Sequence, residues 1–321
     1  MGAHEHLWMR NNLKMVLNGT LGSSRMFDAE DMIVRVGWVA IPGELFTWSQ
    51  RLQHGCPACG RTTDLIFLSS NAMFYLLRLL QTAAALFVAV PDDSGRPLVR
   101  CRSEASDDLI HQVHLAMEIY RGHRELSPAG LGELSRLFGT APNPAQLAAA
   151  EMYHATVAWM LMHEVGHTVG PAPQARRYLD AQSLPLDPGR ATRWIDELSS
   201  DINASTLLSV AFAARSESAE SAGPDALMRG WNLGFGGGVV ALMAFELYEG
   251  YDAGARATSL ERDVSKALAF RTHPPLRYRQ HFLETTRGPS GTPLNPDVIR
   301  PWRESFDVLF SEYVDRYPIP D

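Results

Sequence analysis

The stretch Trp159-Met-Leu-Met-His163-Glu164-Val-Gly-His167-Thr-Val-Gly170 decides the reading of this chain. It carries the pattern H-E-x-x-H. On an α-helix a four-residue step places His163 and His167 on one face, about one turn apart. Two imidazoles at that separation can share a single tetrahedral Zn²⁺. Glu164 falls about 100° round the same helix, where it can act on a water at that metal without being a ligand.

The flanks favour a helix. Asn143 suits an N-cap, and Pro144 suits the first turn, where its missing N–H costs nothing. From Ala145 to Val169 there is no proline and Gly166 is the only glycine, while Gly170-Pro171 supplies a stop. Leu147, His154, Val157, Ala158, Leu161 and Val165 recur at helical spacing, so most of this helix is expected to be buried. The competing account is a core helix that merely carries two histidines.

Two histidines do not complete a catalytic zinc site; a third protein ligand must leave the fourth position open. A second helix is expected from Ala191, and it carries Asp196-Glu197-Leu-Ser-Ser-Asp201. Glu197 is the candidate third ligand. Asp201, four residues on, shares its face and is placed to accept the free N–H of one histidine, fixing that ring's tautomer and orientation. Asp196 is the alternative ligand, but its own i+4 partner would be Ser200. A solvated helix face is the plain alternative for both acids.

At 321 residues, 45% apolar and 20% charged, the chain has ample material for a globular core. A net charge of −7 makes nucleic acid a poor principal partner. Met-Gly-Ala-His-Glu-His lacks a basic region followed by an apolar one, and three cysteines make no disulfide framework, so a cytoplasmic protein is the default expectation. Between Leu65 and Val90 the only charged side chain is Arg78, and the run is long enough to span a bilayer. A buried strand, helix and strand (Leu65–Leu68, Ala72–Thr82, Leu86–Val90) fits equally well, and the arginine near the middle weighs against the membrane.

Upstream, Ile33–Ile41 reads as a strand. His54-Gly-Cys56-Pro-Ala-Cys59-Gly60 has the form of a zinc knuckle, with Cys56 and Cys59 as possible structural ligands and Cys101 or a histidine available to complete the set. Ser103–Arg124 reads as a helix whose His111 and His114 are surface or core residues. The Gly-, Pro- and Ser-rich chain from 122 to 144 divides an N-terminal mixed region, 1–130, from a metal-bearing domain, 131–321. Pro171 to Gly189, with four prolines, is expected to be a surface loop rimming the site. Gly234 and Gly236–Gly238 lie in the apolar run Trp231–Tyr248, where they permit close approach of another backbone.

H-E-x-x-H followed by E-x-x-x-D resembles the gluzincin metallopeptidases. Thr272-His273-Pro274-Pro275-Leu276-Arg277-Tyr278-Arg279 resembles the T-H-P-P-x-x-x-R segment of the HtpX and CAAX-prenyl-protease group, where the three blocks occur in this order. The resemblance covers roughly residues 150–282 and is confined to these blocks. It implies His163, His167 and Glu197 as zinc ligands, Glu164 as general base, Asp201 behind a ligand, and His273 with Arg279 near the substrate; Arg279 is also expected with Asp201 behind the ligands. The plain alternatives are a His273 that caps packing in an X-Pro-Pro turn and an Arg279 that pairs with a buried carboxylate. The group's small residue, typically alanine, before the aspartate is Ser200 here, and its integral-membrane members carry several spanning helices. The Lit phage-exclusion peptidase is a vaguer resemblance.

The expectation is therefore an α+β, predominantly helical, gluzincin-like zinc peptidase domain with a small N-terminal sheet, acting on a protein or peptide substrate. The rivals are a zinc-stabilised regulatory or binding protein on that scaffold and a zinc amidase acting on a small molecule.

Overall fold

The computed structural model describes residues 33–39, 47–52, 63–91, 97–121, 144–216, 224–252, 273–288, 291 and 293–317. Cys56 and Cys59 lie outside these residues, as does the expected N-cap Asn143.

The described structure is predominantly helical, with a small sheet from the N-terminal portion as expected. Strand β1 (Ile33–Val39) pairs in parallel with β3 (Thr63–Ser69), and β2 (Thr47–Leu52) lies antiparallel on the other side of β3. The β3 strand runs straight into α1 (Ser70–Ala84), and β4 (Phe87–Pro91) follows and forms a ribbon with β5 (Pro97–Cys101). The ambiguous apolar run thus resolves as strand, helix and strand. Among the described residues no helix is long and apolar enough to cross a membrane. Arg78 is itself buried on α1, where it bonds Gln112 of α2 (Asp107–Tyr120) and lies over the Phe74 ring. Burial of a charge is tolerable only with such compensation.

Helix α3 (Pro144–Val169) spans the residues the sequence predicts. Gly170 ends it at φ +97°, a conformation that favours glycine. Leu147, expected in the core, lies exposed near the first turn, while Met152 to Gly166 are buried apart from half-buried His154. Helices α5 (Pro188–Ser216) and α6 (Pro224–Asp252) pack on α3 and on one another as the centre of the molecule. The glycines of α6 explain the closeness of this packing. A Cβ at Gly234 would fall 2.6 Å from the Ser205 carbonyl oxygen of α5, and one at Gly237 would fall 2.8 Å from the Ala155 backbone of α3. Trp159 donates to the Ser205 hydroxyl at 3.0 Å, tying α3 to α5 inside the core.

The expected surface loop after α3 is incorrect. It contains α4 (Pro173–Gln182), which begins on a proline and ends at left-handed Ser183. Pro188 likewise starts α5. Two of the four prolines read as loop signals stand at helix starts, the one helical position where proline's fixed φ is an advantage.

Helix α7 (Leu276–Thr285) follows the Pro274-Pro275 pair, and α8 (Pro296–Arg316) closes against α1, α2 and α6. His114 of α2 stacks on Tyr317 with ring centroids 4.1 Å apart and meets the Tyr313 hydroxyl at 3.1 Å, so it is a packing residue. One buried apolar cluster runs through α1, α2 and α3 to α8.

Candidate metal centre

Helices α3 and α5 build the site together. Gly166, inside the H-E-x-x-H turn, lies against the Ser200 backbone so closely that a Cβ would stand 2.7 Å from the Ser200 carbonyl oxygen. That contact draws α5 up to the histidine face of α3. The Ser200 hydroxyl turns back to the Asp196 carbonyl at 3.0 Å, so its polar atom is satisfied within α5. Ser199 accepts from the Ala172 N–H at 2.9 Å, and the Asn203 amide donates to the Gly170 carbonyl at 3.0 Å, so α5 also secures the end of α3.

One nitrogen each of His163 and His167 and one Glu197 oxygen converge, all within 4.8 Å of one another. The two rings are nearly perpendicular, at 82°, with centroids 4.9 Å apart. Glu197 lies 3.5 Å from His163 Nε2 and 3.8 Å from His167 Nε2. Each Nδ1 meets a carboxylate: His163 bonds Asp201 at 2.9 Å and His167 bonds Asp196 at 3.0 Å. The expectation of Asp201 behind one histidine matches this geometry. The reading of Asp196 as an alternative ligand does not, since it lies on the far side of the His167 ring from Glu197. Its place was foreshadowed only by its adjacency to Glu197.

Arg279 reaches in from α7. Its Nε and Nη2 grip Asp201 at 2.8 and 2.6 Å, and Nη1 lies 3.4 Å from Glu197. This fork is spent on the protein's own carboxylates, which is the place behind the ligands, paired with a buried carboxylate, that the sequence leaves open beside one near the substrate. Glu246 of α6 holds α7 through Arg277 and through Gln280 at 2.7 Å. His273 does reach the site from its open side: its side chain is 64% exposed and Nε2 lies 3.3 Å from Glu197. Glu164 is buried beside the histidines, and its negative charge acts on Arg279.

The electrostatics follow from this crowding. Burial disfavours a charged His163, but the hydrogen bonds to Asp201 and Glu197 outweigh it and push its pKa up to about 9. Burial also works against ionised Glu197, yet His163 and Arg279 hold it well below the usual carboxylate range. Asp201 is lowered in spite of burial, chiefly by Arg279. Glu164, Glu197 and Asp201 are three buried carboxylates set against the guanidinium of Arg279 and a protonated His163, and loss of the His163 proton to free its nitrogen for ligation would leave two negative charges. A divalent cation suits that balance, and two imidazole nitrogens with one carboxylate oxygen form a donor set found around zinc.

Cys101 is half-buried on β5, accepts from the Ser305 hydroxyl at 3.3 Å, and joins no metal-ligating cluster among the described residues. No family model, curated protein or solved structure matches this chain.

Proposed function

We propose that this chain is a gluzincin-type zinc peptidase that hydrolyses peptide bonds of a protein or peptide, with His163, His167 and Glu197 holding the metal. The observation that carries the reading is the convergence of those three donors beside buried Glu164, with a carboxylate behind each histidine. A divalent cation held there supplies Lewis acidity, polarising a carbonyl oxygen and making a water acidic near neutral pH. Glu164 accepts the proton of the attacking water and later delivers it to the leaving amine nitrogen. His273, exposed on the open side, donates from Nε2 to the oxyanion that develops on the scissile carbonyl. Arg279 and Asp201 hold the His163 ring still throughout.

Glu164→Gln tests the reading. The amide keeps the side chain's shape but cannot take the water proton, so turnover should fall by about 10²–10⁴-fold. Zinc content by plasma emission and the melting temperature should stay at wild-type values. A variant that still cleaved a wild-type substrate at the wild-type rate would remove Glu164 from the mechanism, whereas zinc-loaded wild-type protein that cleaves no peptide or amide would return the chain to the rival reading, a binding protein stabilised by its metal. Profiling peptides against small-molecule amides separates the peptidase from an amidase.

A further inference from the structure

We infer that Asp196 is a positioning residue for the metal, through His167, and that the two histidine arms of the site are therefore unequal. The inference rests on the proposed ligand set.

The sequence D-E-x-x-x-D on α5 distributes three carboxylates around one helix end. With Glu197 as reference, Asp201 lies about 40° to one side and Asp196 about 100° to the other. The histidines of α3 are straddled in this way, Glu197 meeting both Nε2 atoms while the two aspartates take the two Nδ1 atoms. A carboxylate at Nδ1 fixes the tautomer that leaves Nε2 free for a metal, fixes the ring's direction, and makes the nitrogen a stronger donor.

The two supports differ in their surroundings. Asp201 is fully buried and clamped by both arms of Arg279. Asp196 is 56% exposed, and the His167 ring it holds is itself more open than that of His163. The rim arm has Asp196 where the inner arm has Asp201 and Arg279 together. No second helix clamps Asp196 among the described residues. The Nδ1 side of the His167 ring is then held by a solvent-facing hydrogen bond, where that of His163 is held by a buried and clamped one.

The experiment uses the full chain as wild type, Asp196→Ala and Asp196→Asn. Zinc affinity is read by competition with a chromogenic chelator, the cobalt-loaded visible spectrum reports ligand geometry, and melting of the metal-free protein reports the fold. Asp196→Ala should bind zinc about 10–100-fold more weakly. Asp196→Asn should recover most of that loss, because its amide oxygen still accepts the Nδ1 proton. The metal-free melting temperature should be the same for all three proteins. Asp196→Ala with wild-type zinc affinity and an unchanged cobalt spectrum overturns the inference. So does a loss of affinity matched by a fall in metal-free melting that Asn does not rescue, since that is a fold defect. Wild-type protein that binds neither metal would instead defeat the ligand set itself, a result distinguishable before any variant is made.

Discussion

His163 sits in an environment that opposes the metal until a proton leaves. Its ordinary pKa of 6.5 is lowered by burial and raised more strongly by Asp201 and Glu197, to about 9. A raised folded-state value favours the protonated ring, so its contribution to the stability of the metal-free protein is complete below pH 6.5 and is lost as pH rises through about 9. Metal uptake has the opposite slope. Ligation needs Nε2 bare, so below about pH 9 each ion bound expels a proton, and affinity should climb by about tenfold per pH unit before levelling off. Competition titrations from neutral to alkaline pH check this; a flat profile across that range would show that His163 is already neutral without metal. Arg279 belongs to the same scale. The sequence allows it either a place near the substrate or an ion pair with a buried carboxylate, and only the packed structure shows that its fork is filled by Asp201 and Glu197.

At the scale of elements, two glycines make similar contacts with different consequences. Gly166 allows α5 to approach the metal-binding turn, whereas Gly237 allows α6 to approach α3 at Ala155. Alanine is the better helix former by about 1 kcal/mol, but at both positions its methyl would press on backbone that cannot rotate away. Overpacking of this kind costs about 1–3 kcal/mol, so both variants should melt lower. Only Gly166→Ala should also weaken zinc binding, because it moves Glu197 away from the histidines; equal zinc affinity in the two variants would deny that link. The boundaries of α3 were legible because proline, apolar period and Gly170 all agree. So was the strand, helix and strand between residues 63 and 91, from composition and the position of Arg78. Helix α4 was not legible, because a proline that starts a helix and a proline that interrupts a loop look alike without the residues they pack on. The partner of His167 was hidden for a related reason: adjacency to Glu197 places Asp196 near the site without saying which ring it faces.

On the scale of the whole molecule, α1 and α2 share one apolar cluster with the helices that carry the candidate ligands. Tyr75 of α1 donates to the Ala244 carbonyl of α6 at 2.7 Å, and α8 packs on both α1 and α2. A fragment of residues 131–321 would expose the faces these helices cover. It should associate in size-exclusion chromatography and melt without a cooperative transition, although it holds every proposed ligand. A monomeric fragment with a sharp transition would show that the division expected near residue 130 marks an independently folding unit. The link between α2 and α8 also fixes an order of events. His114 waits for Tyr313, 199 residues further along the chain. During synthesis at about 5–20 residues per second, the face of α2 that meets α8 must therefore wait roughly ten to forty seconds for that neighbour to emerge. The nascent chain carries that apolar face of α2 through the interval, when a neighbouring chain could take the place of α8.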